Sequence, residues 1–381
     1  MTSNAKIISI SYVIGSGSDS WRILNILRLM KERGVDVYFI QYKSKFDNRY
    51  KVGEDLKLDI PNRFIYGNPF LLFFEIIRLH KNGYNFIYGN THIGSFISLP
   101  AKLIGMNLIS DIHGNLVGEF LLNNEGKSWK RSPLKVLEYL LKKLINFSVL
   151  RMSNTIICVS KKMIDFLHSE EKIPYKRMTY LTNGIDLNFF KPIFNEEEKQ
   201  LLKKKLGIEN KKVFGYVGNF DKWQGVENFI SAANILENEK ISFLFVGAKK
   251  EDRLKNMVFL PKVSREEVLL CYSICDVLVL PRPNSIATQV AAPTKFAEYA
   301  AMQKPILTTD VGDAAELVKK YDCGIVVDDN SPENLKKGVI SFLDMDNENI
   351  KKMGENSRKL AQNEFDWEKQ IDSFLKYEKF Y

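Results

Sequence analysis

Short apolar, strand-like runs alternate with helical patterns along most of this 381-residue chain. A strand followed by a helix returns as a neighbour parallel to the first, with the helix lying on the sheet, so the alternation predicts mostly parallel, helix-covered sheets. In the first half the strand candidates are 7–13, 35–42, 86–88, 108–111 and 155–159, and Tyr180-Leu181 leads into an Asn183-Gly184 turn. In the second half they are 213–217, 242–246, 277–280, 306–309 and 325–327. The chain is too long for one ordinary core, so two α/β domains are expected. Pro192 and the charged helical stretch 196–206 mark the break. We place the domains at 1–190 and 191–365, with a last helix over 366–381.

Composition narrows the classes further. Hydrophobic residues make up 45% and charged residues 27%, the balance of a soluble globular protein. No apolar run approaches the roughly 20 residues that span a bilayer. Lys6 leads into a short strand-like run without a cleavage signature, which argues against a secretory leader. Cys158, Cys271, Cys275 and Cys323 are scattered in apolar settings, so reduced, buried thiols and a cytoplasmic location are expected. Cys271 and Cys275 lack the second pair that a zinc site needs, so no metal is expected. The net charge of +9 suits an anionic membrane surface or a phosphate-bearing substrate. With lysines dominating and no arginine-rich tract, nucleic acid is not expected as a partner.

The most informative local stretch is Pro293-Thr294-Lys295-Phe296-Ala297-Glu298, which starts a helix and runs on to Pro305 and an apolar strand. Lys295 and Glu298 project from one helix face near a strand–helix junction, where open α/β sheets place their ligands. A carboxylate there can grip a ribose diol, and a lysine one turn earlier can neutralise a phosphate; a plain surface ion pair is the alternative. Gly15-Ser16-Gly17-Ser18 follows the first strand and precedes a helix over 21–33. Its glycines admit close approach of a ligand at a helix N-terminus, although a simple turn explains them as well. Ser20 stands where a dinucleotide fingerprint needs its third glycine. Ser264 with Glu267, Asp313 with Glu316, and Asp221 with Gln224 fit capping boxes, and Ser331-Pro332 fits a capped start. Those caps account for Asp313 and Glu316 without a catalytic role.

His113 ends a buried strand and could meet a sugar hydroxyl or a departing phosphate. Glu119 and His92 are weaker candidates, and His80 and His168 suit the surface. No Asp-x-Asp motif sits at a strand end; Asp344-Met345-Asp346 lies in a charged, solvated stretch. Metal-assisted catalysis is therefore not expected, and charge on a leaving group would fall to lysine, arginine and helix N-termini. No nucleophile–base pair is evident.

Four pieces in order resemble the GT-B glycosyltransferases of family 4, the glycosyl transferases group 1. They are Leu181-Thr182-Asn183-Gly184-Ile185-Asp186 with Phe189-Phe190-Lys191-Pro192, Tyr216-Val217-Gly218-Asn219-Phe220 with Trp223-Gln224-Gly225-Val226, the 293–305 segment, and Asp310-Val311-Gly312-Asp313 with Glu316-Leu317-Val318 and Cys323-Gly324-Ile325-Val326-Val327. The resemblance covers nearly the whole chain. It implies two Rossmann-like domains facing a central cleft, with the last helix crossing back to the first domain. It also implies a retaining, metal-independent transfer of a sugar from a nucleotide diphosphate sugar to an acceptor hydroxyl on a glycan or lipid-linked molecule, with no cofactor. The carried-over roles are His113 and Glu298 as catalytic. Gly15, Ser16, Gly17, Gly218, Asn219, Lys222, Arg282, Thr294 and Lys295 take the donor. Retention is usually explained by same-face attack, with the leaving phosphate as base. Asn219 and Gln224 stand where many relatives carry arginine and lysine, so Lys222 or Arg282 has to compensate. Val290 replaces a second glutamate. These departures favour one rival, a non-catalytic nucleotide-sugar-binding partner of a membrane complex; a phosphorylase or epimerase on the same fold is another.

Residues 127–152 hold Trp129, Lys130 and Arg131 ahead of a helix with Leu134, Leu137, Leu141, Leu144 and Ile145 on one face and Lys135, Lys142 and Lys143 largely off it. Such a helix either packs on a sheet or lies on an anionic membrane. The second option would make the protein peripheral on the inner face of the cell membrane.

Overall fold

The computed structural model describes residues 5–12, 18–44, 59–192, 195–236 and 239–377. They form two compact units, one of Met1–Thr182 with Trp367–Tyr381 and one of Asn183–Asp366.

The first unit runs β1 Lys6–Tyr12, α1 Ser18–Glu32, β2 Asp36–Lys43, β3 Asn62–Tyr66, α2 Pro69–Lys81, β4 Phe86–Asn90, α3 Thr91–Ser98, β5 Asn107–Ile112, α4 Leu116–Asn123, α5 Pro133–Met152, β6 Thr155–Cys158, α6 Lys161–Ser169 and β7 Met178–Tyr180. Its seven strands lie in the order β3-β2-β1-β4-β5-β6-β7, all parallel. Side chains alternate across a strand, so Ile7 joins the core beneath α1 while Ile8 and Ile10 join the one beneath α2. β3 has no signature in the sequence because only Ile65 of its five residues is buried.

The second unit runs α7 Glu196–Lys205, β8 Lys212–Val217, α8 Val226–Ile235, β9 Ile241–Ala248, β10 Asp252–Leu254, β11 Met257–Pro261, α9 Arg265–Ile274, β12 Val277–Leu280, α10 Ile286–Gln289, α11 Thr294–Ala301, β13 Ile306–Thr309, α12 Gly312–Tyr321, β14 Gly324–Val327, α13 Pro332–Leu343 and α14 Asn347–Glu364. Its sheet order is β10-β11-β9-β8-β12-β13-β14. Only β10 is antiparallel to its neighbour. The last helix, α15 Trp367–Tyr377, belongs to the first unit. Ile371, Phe374 and Leu375 share a core with Ile23, Ile26 and Leu27 of α1, and Arg33 pairs with Glu368 at 2.7 Å and with Asp372 at 2.5 Å.

The unit boundary falls at 182/183, earlier than the 190/191 expected from the sequence. The intervening residues are held by the second unit. Ile185 N–H donates to the Phe365 carbonyl at 2.7 Å, Arg358 Nη1 to the Phe190 carbonyl at 2.8 Å, and Asn183 Nδ2 to the Ala292 carbonyl at 2.7 Å. Two expected caps are also corrected. Gly225, at φ +71°, ends a 3₁₀ turn over Lys222–Gln224, so α8 starts after it and Asp221 caps nothing with its side chain. α12 starts at Gly312, whose N–H is taken by Gln289 Oε1 at 2.9 Å, which places Asp313 inside the helix. Ser264 with Glu267 does form a capping box, and Ser331 caps α13 with Pro332 in its first turn. Pro293 is the N-cap of α11, one residue before the helix rather than within it.

Candidate functional site

In the second unit the chain order reverses between β8 and β12, which are hydrogen-bonded neighbours. Parallel α/β sheets open a crevice beyond the carboxyl ends of the strands at such a switch point. Gly218 follows β8 and Arg282 follows β12, so sequence candidates flank this point on both sides.

Gly218 has φ +148°, and a Cβ added there would lie 1.9 Å from Lys295 Cε. Glycine therefore lets the Lys295 side chain lie across the end of β8, with its Nζ 5.4 Å from the Tyr216 ring centre. Burial lowers the Lys295 ammonium to about 8, with Arg282 pushing the same way while Glu298 and Asp221 oppose it. The ammonium is easier to deprotonate than an ordinary lysine, and a bound anion would favour its charged form. Arg282 is 3% exposed, its guanidinium 5.8 Å from the Trp223 ring centre. Its influence on Lys295 places two cations in one neighbourhood.

Glu298 stands one turn further along α11 and does not pair with Lys295. Its Oε2 accepts the Tyr272 hydroxyl at 2.5 Å. Burial raises its carboxyl, against the lowering by Tyr272, Lys295 and Arg265. A carboxylate anchored through one oxygen presents the other as an acceptor for a ligand hydroxyl. The surface ion pair weighed as an alternative is not what the two side chains make. Thr294 opens α11 and adds the N–H groups of a helix start.

Other candidates sit differently. Asn219 is exposed, its Nδ2 donating to Asp221 Oδ2 at 2.5 Å and its carbonyl accepting from Tyr216. Lys222 is exposed on the 3₁₀ turn, whereas Arg282 is buried and acts on Lys295. Gln224 and Val290 are both buried. Gly15, Ser16 and Gly17 lie outside the described residues.

His113 belongs to the first unit, just beyond β5, with its side chain 15% exposed and Nε2 3.1 Å from Asp111 Oδ2. Asp111 is fully buried. Arg22 grips it through Nε and Nη2, each at 2.9 Å, and Tyr88 donates its hydroxyl at 2.5 Å. Burial alone would raise the Asp111 carboxyl, but Arg22 and His113 outweigh it and hold it well below the usual carboxylate range. Arg22 is itself fixed by the carbonyls of Leu181 and Thr182, both at 2.8 Å. A charged, rigid carboxylate behind an imidazole fixes the orientation of the ring.

Beyond β4, Thr91 holds φ +64°, an uncommon strain for a β-branched residue. His92 is buried against Asn146 Oδ1 at 3.1 Å, and burial lowers it to about 4, so it stays neutral. Glu119 is exposed. His80 and His168 each bond a backbone carbonyl.

Sequence reasoning missed Arg22, Tyr88, Asp111 and Tyr272 as parts of these settings. Asp111 left a trace, a carboxylate ending an apolar strand two residues before His113. Tyr272 left none, since it reaches Glu298 only through the packing of α9 on α11. All four cysteines are buried and free. Among the described residues no cluster of His, Cys, Asp and Glu is arranged to hold a metal ion, and no helix is long and apolar enough to cross a membrane.

Comparisons with known proteins agree on one class. The model of glycosyltransferase family 4 matches residues 20–189 and that of the glycosyl transferases group 1 matches residues 198–360. An uncharacterized glycosyltransferase of Methanocaldococcus jannaschii, MJ1069, is 25% identical over 83% of this chain and 79% of its own length. Among solved structures, a sucrose-phosphate synthase from Thermosynechococcus elongatus superposes with a TM-score of 0.77 at 16% identity, over 98% of each chain. Anabaena Alr3699/HepE in complex with UDP-glucose does so at 0.69 and 16% identity, over 97% of this chain and 99% of that one. The fold is GT-B, with two Rossmann-like units. The chain belongs to the GT-B glycosyltransferases of family 4, and it is an enzyme of that class.

Proposed function

We propose that this enzyme transfers a sugar, with retention and without a metal, from a nucleotide diphosphate sugar to an acceptor hydroxyl. The observation that carries the reading is that Glu298 and Lys295 stand one turn apart on α11 at the switch point of the second sheet, with Arg282 near Lys295. Glu298 Oε1 accepts from the ribose or sugar hydroxyls, while Oε2 stays tied to Tyr272. Lys295, Arg282 and the start of α11 neutralise the diphosphate as the glycosidic bond to it breaks, an electrostatic contribution that grows with charge on the leaving group. Gly218 leaves room for the Lys295 side chain across the end of β8, and Asn219, Thr294 and Lys222 border the nucleotide. His113, held by Asp111, meets the transferred sugar. No side chain is assigned as nucleophile; the leaving phosphate takes the acceptor's proton. The UDP-glucose in the Anabaena structure supports a nucleotide-sugar donor. The acceptor in this reading is a glycan or lipid-linked molecule at an anionic membrane surface, which makes the protein cytoplasmic and peripheral.

A panel of UDP-, GDP- and ADP-sugars, tested by thermal shift in the presence of a chelator, examines the reading. Selective stabilisation by one donor is expected. A cooperative melt that no donor shifts would contradict it, and phosphate-dependent sugar release without nucleotide would replace it with a phosphorylase.

A further inference from the structure

We infer that α5 is the surface by which this chain docks on an anionic lipid bilayer, a step that deepens the lipid-linked acceptor in the proposed function and rests on it only there. The apolar face of an amphipathic helix on an α/β unit normally lies on the sheet. α5 does the reverse. Only Asn146, Val149 and Leu150, all in its last two turns, are buried. Leu134, Leu137, Leu140, Leu141, Leu144 and Phe147 are each between 49% and 79% exposed. Their spacing puts all six on one stripe, about 20 Å long at 1.5 Å per residue. A contiguous apolar stripe of that kind on a water-facing helix marks an interaction surface.

Charge selects the partner. Residues 127–152 contain seven basic side chains and a single acid, Glu138. That acid is taken up by Lys135 at 2.8 Å and Lys142 at 4.0 Å. Lys130 and Arg131 just ahead of the helix, Lys143 beside the stripe and Arg151 at its carboxyl end thus leave this surface with net positive charge. A second copy of the same face would set lysines against lysines. An anionic headgroup layer complements that charge while the acyl boundary accepts the leucines, the arrangement of a helix lying in the plane of the interface. At its amino-terminal end Trp129 packs on Phe120 and Tyr139, ring centres 5.1 and 5.2 Å away. Such aromatics favour the headgroup level.

The test is flotation of the full chain with vesicles of phosphatidylcholine alone or mixed with phosphatidylglycerol. Binding to the anionic vesicles is expected, weakening as salt rises from about 0.05 to 0.5 M. Leu137→Ser/Leu144→Ser is expected to weaken partitioning by roughly a hundredfold, with the melting temperature unchanged because both side chains already face water. Wild-type protein that ignores anionic vesicles, or a variant that binds them as well as wild type, overturns the inference. So does a dimer that the variant dissolves, which would assign the stripe to a second copy. A donor-induced thermal shift, recorded on both proteins, separates this outcome from failure of the transferase reading.

Discussion

Replacing Asp111 by asparagine should leave a buried guanidinium without its counter-charge. Arg22 and Asp111 have side chains 2% and 0% exposed, and the carboxylate also receives Tyr88 and faces His113. Asparagine keeps one acceptor oxygen but turns an N–H₂ toward donors that the second oxygen now satisfies. Breaking a buried pair by removing one partner costs about 3–5 kcal/mol, largely because the other charge stays desolvated. Against a total stability of about 5–15 kcal/mol, that is a large fraction. With a urea slope of roughly 3 kcal/mol per M, the midpoint of the first unit should fall by about 1–1.7 M. Tryptophan fluorescence suits the assay, because Trp367 packs 6.0 Å from the Arg22 guanidinium. Arg22→Met combined with Asp111→Asn should cost less than the two single changes together, since neither charge is then stranded. The depressed carboxyl adds a pH signature: its contribution is present above the unfolded carboxylate pKa and is lost as pH falls through the lower folded value. Asp111→Asn should flatten that acid limb. A midpoint within about 0.3 M of wild type, or strict additivity in the double variant, would refute the reasoning.

Two further outcomes follow from the second unit. Because burial lowers Lys295 to about 8, donor affinity should weaken as pH rises past that value; Lys295→Arg should hold its affinity at about pH 9 where wild type has lost it, and Lys295→Met should bind roughly tenfold to a hundredfold more weakly at neutral pH, by calorimetry. Gly225→Ala places a Cβ 1.9 Å from the Pro281 carbonyl oxygen at φ +71°, so a loss of about 2 kcal/mol or more and a Tm lower by about 4–8 °C are expected by calorimetric scanning.

Much of the architecture was legible because buried parallel strands are continuous apolar runs, as in 213–217 and 277–280. β3, β10 and β11 were not: β3 and β10 are edge strands with mostly exposed residues, and β11 buries only Met257 and Val258, so none of them carries such a run. Lys295 and Glu298 could be read from helical spacing, which places side chains three apart on one face. Their real partners, Tyr216 and Tyr272, come from β8 and α9 and are adjacent only after folding. The α5 stripe was visible as a pattern, but the pattern alone suits a helix packed on its sheet equally well. Only the exposure of Leu137 and Leu144 distinguishes the two. The capping signature at Asp313 misplaced the helix start: α12 begins at Gly312, whose φ of +64° and N–H bond to Gln289 Oε1 leave no local trace in the sequence.

The central claim is that Glu298 on α11 holds a nucleotide-sugar donor. Titration calorimetry with the donor selected from the panel, on wild type, Glu298→Gln and Glu298→Ala, tests it most directly. The account predicts loss of about tenfold or more in affinity for glutamine and undetectable binding for alanine, with glutamine, which still accepts from Tyr272, melting like wild type. Donor affinity that is unchanged in Glu298→Ala would contradict it and remove Glu298 from the site.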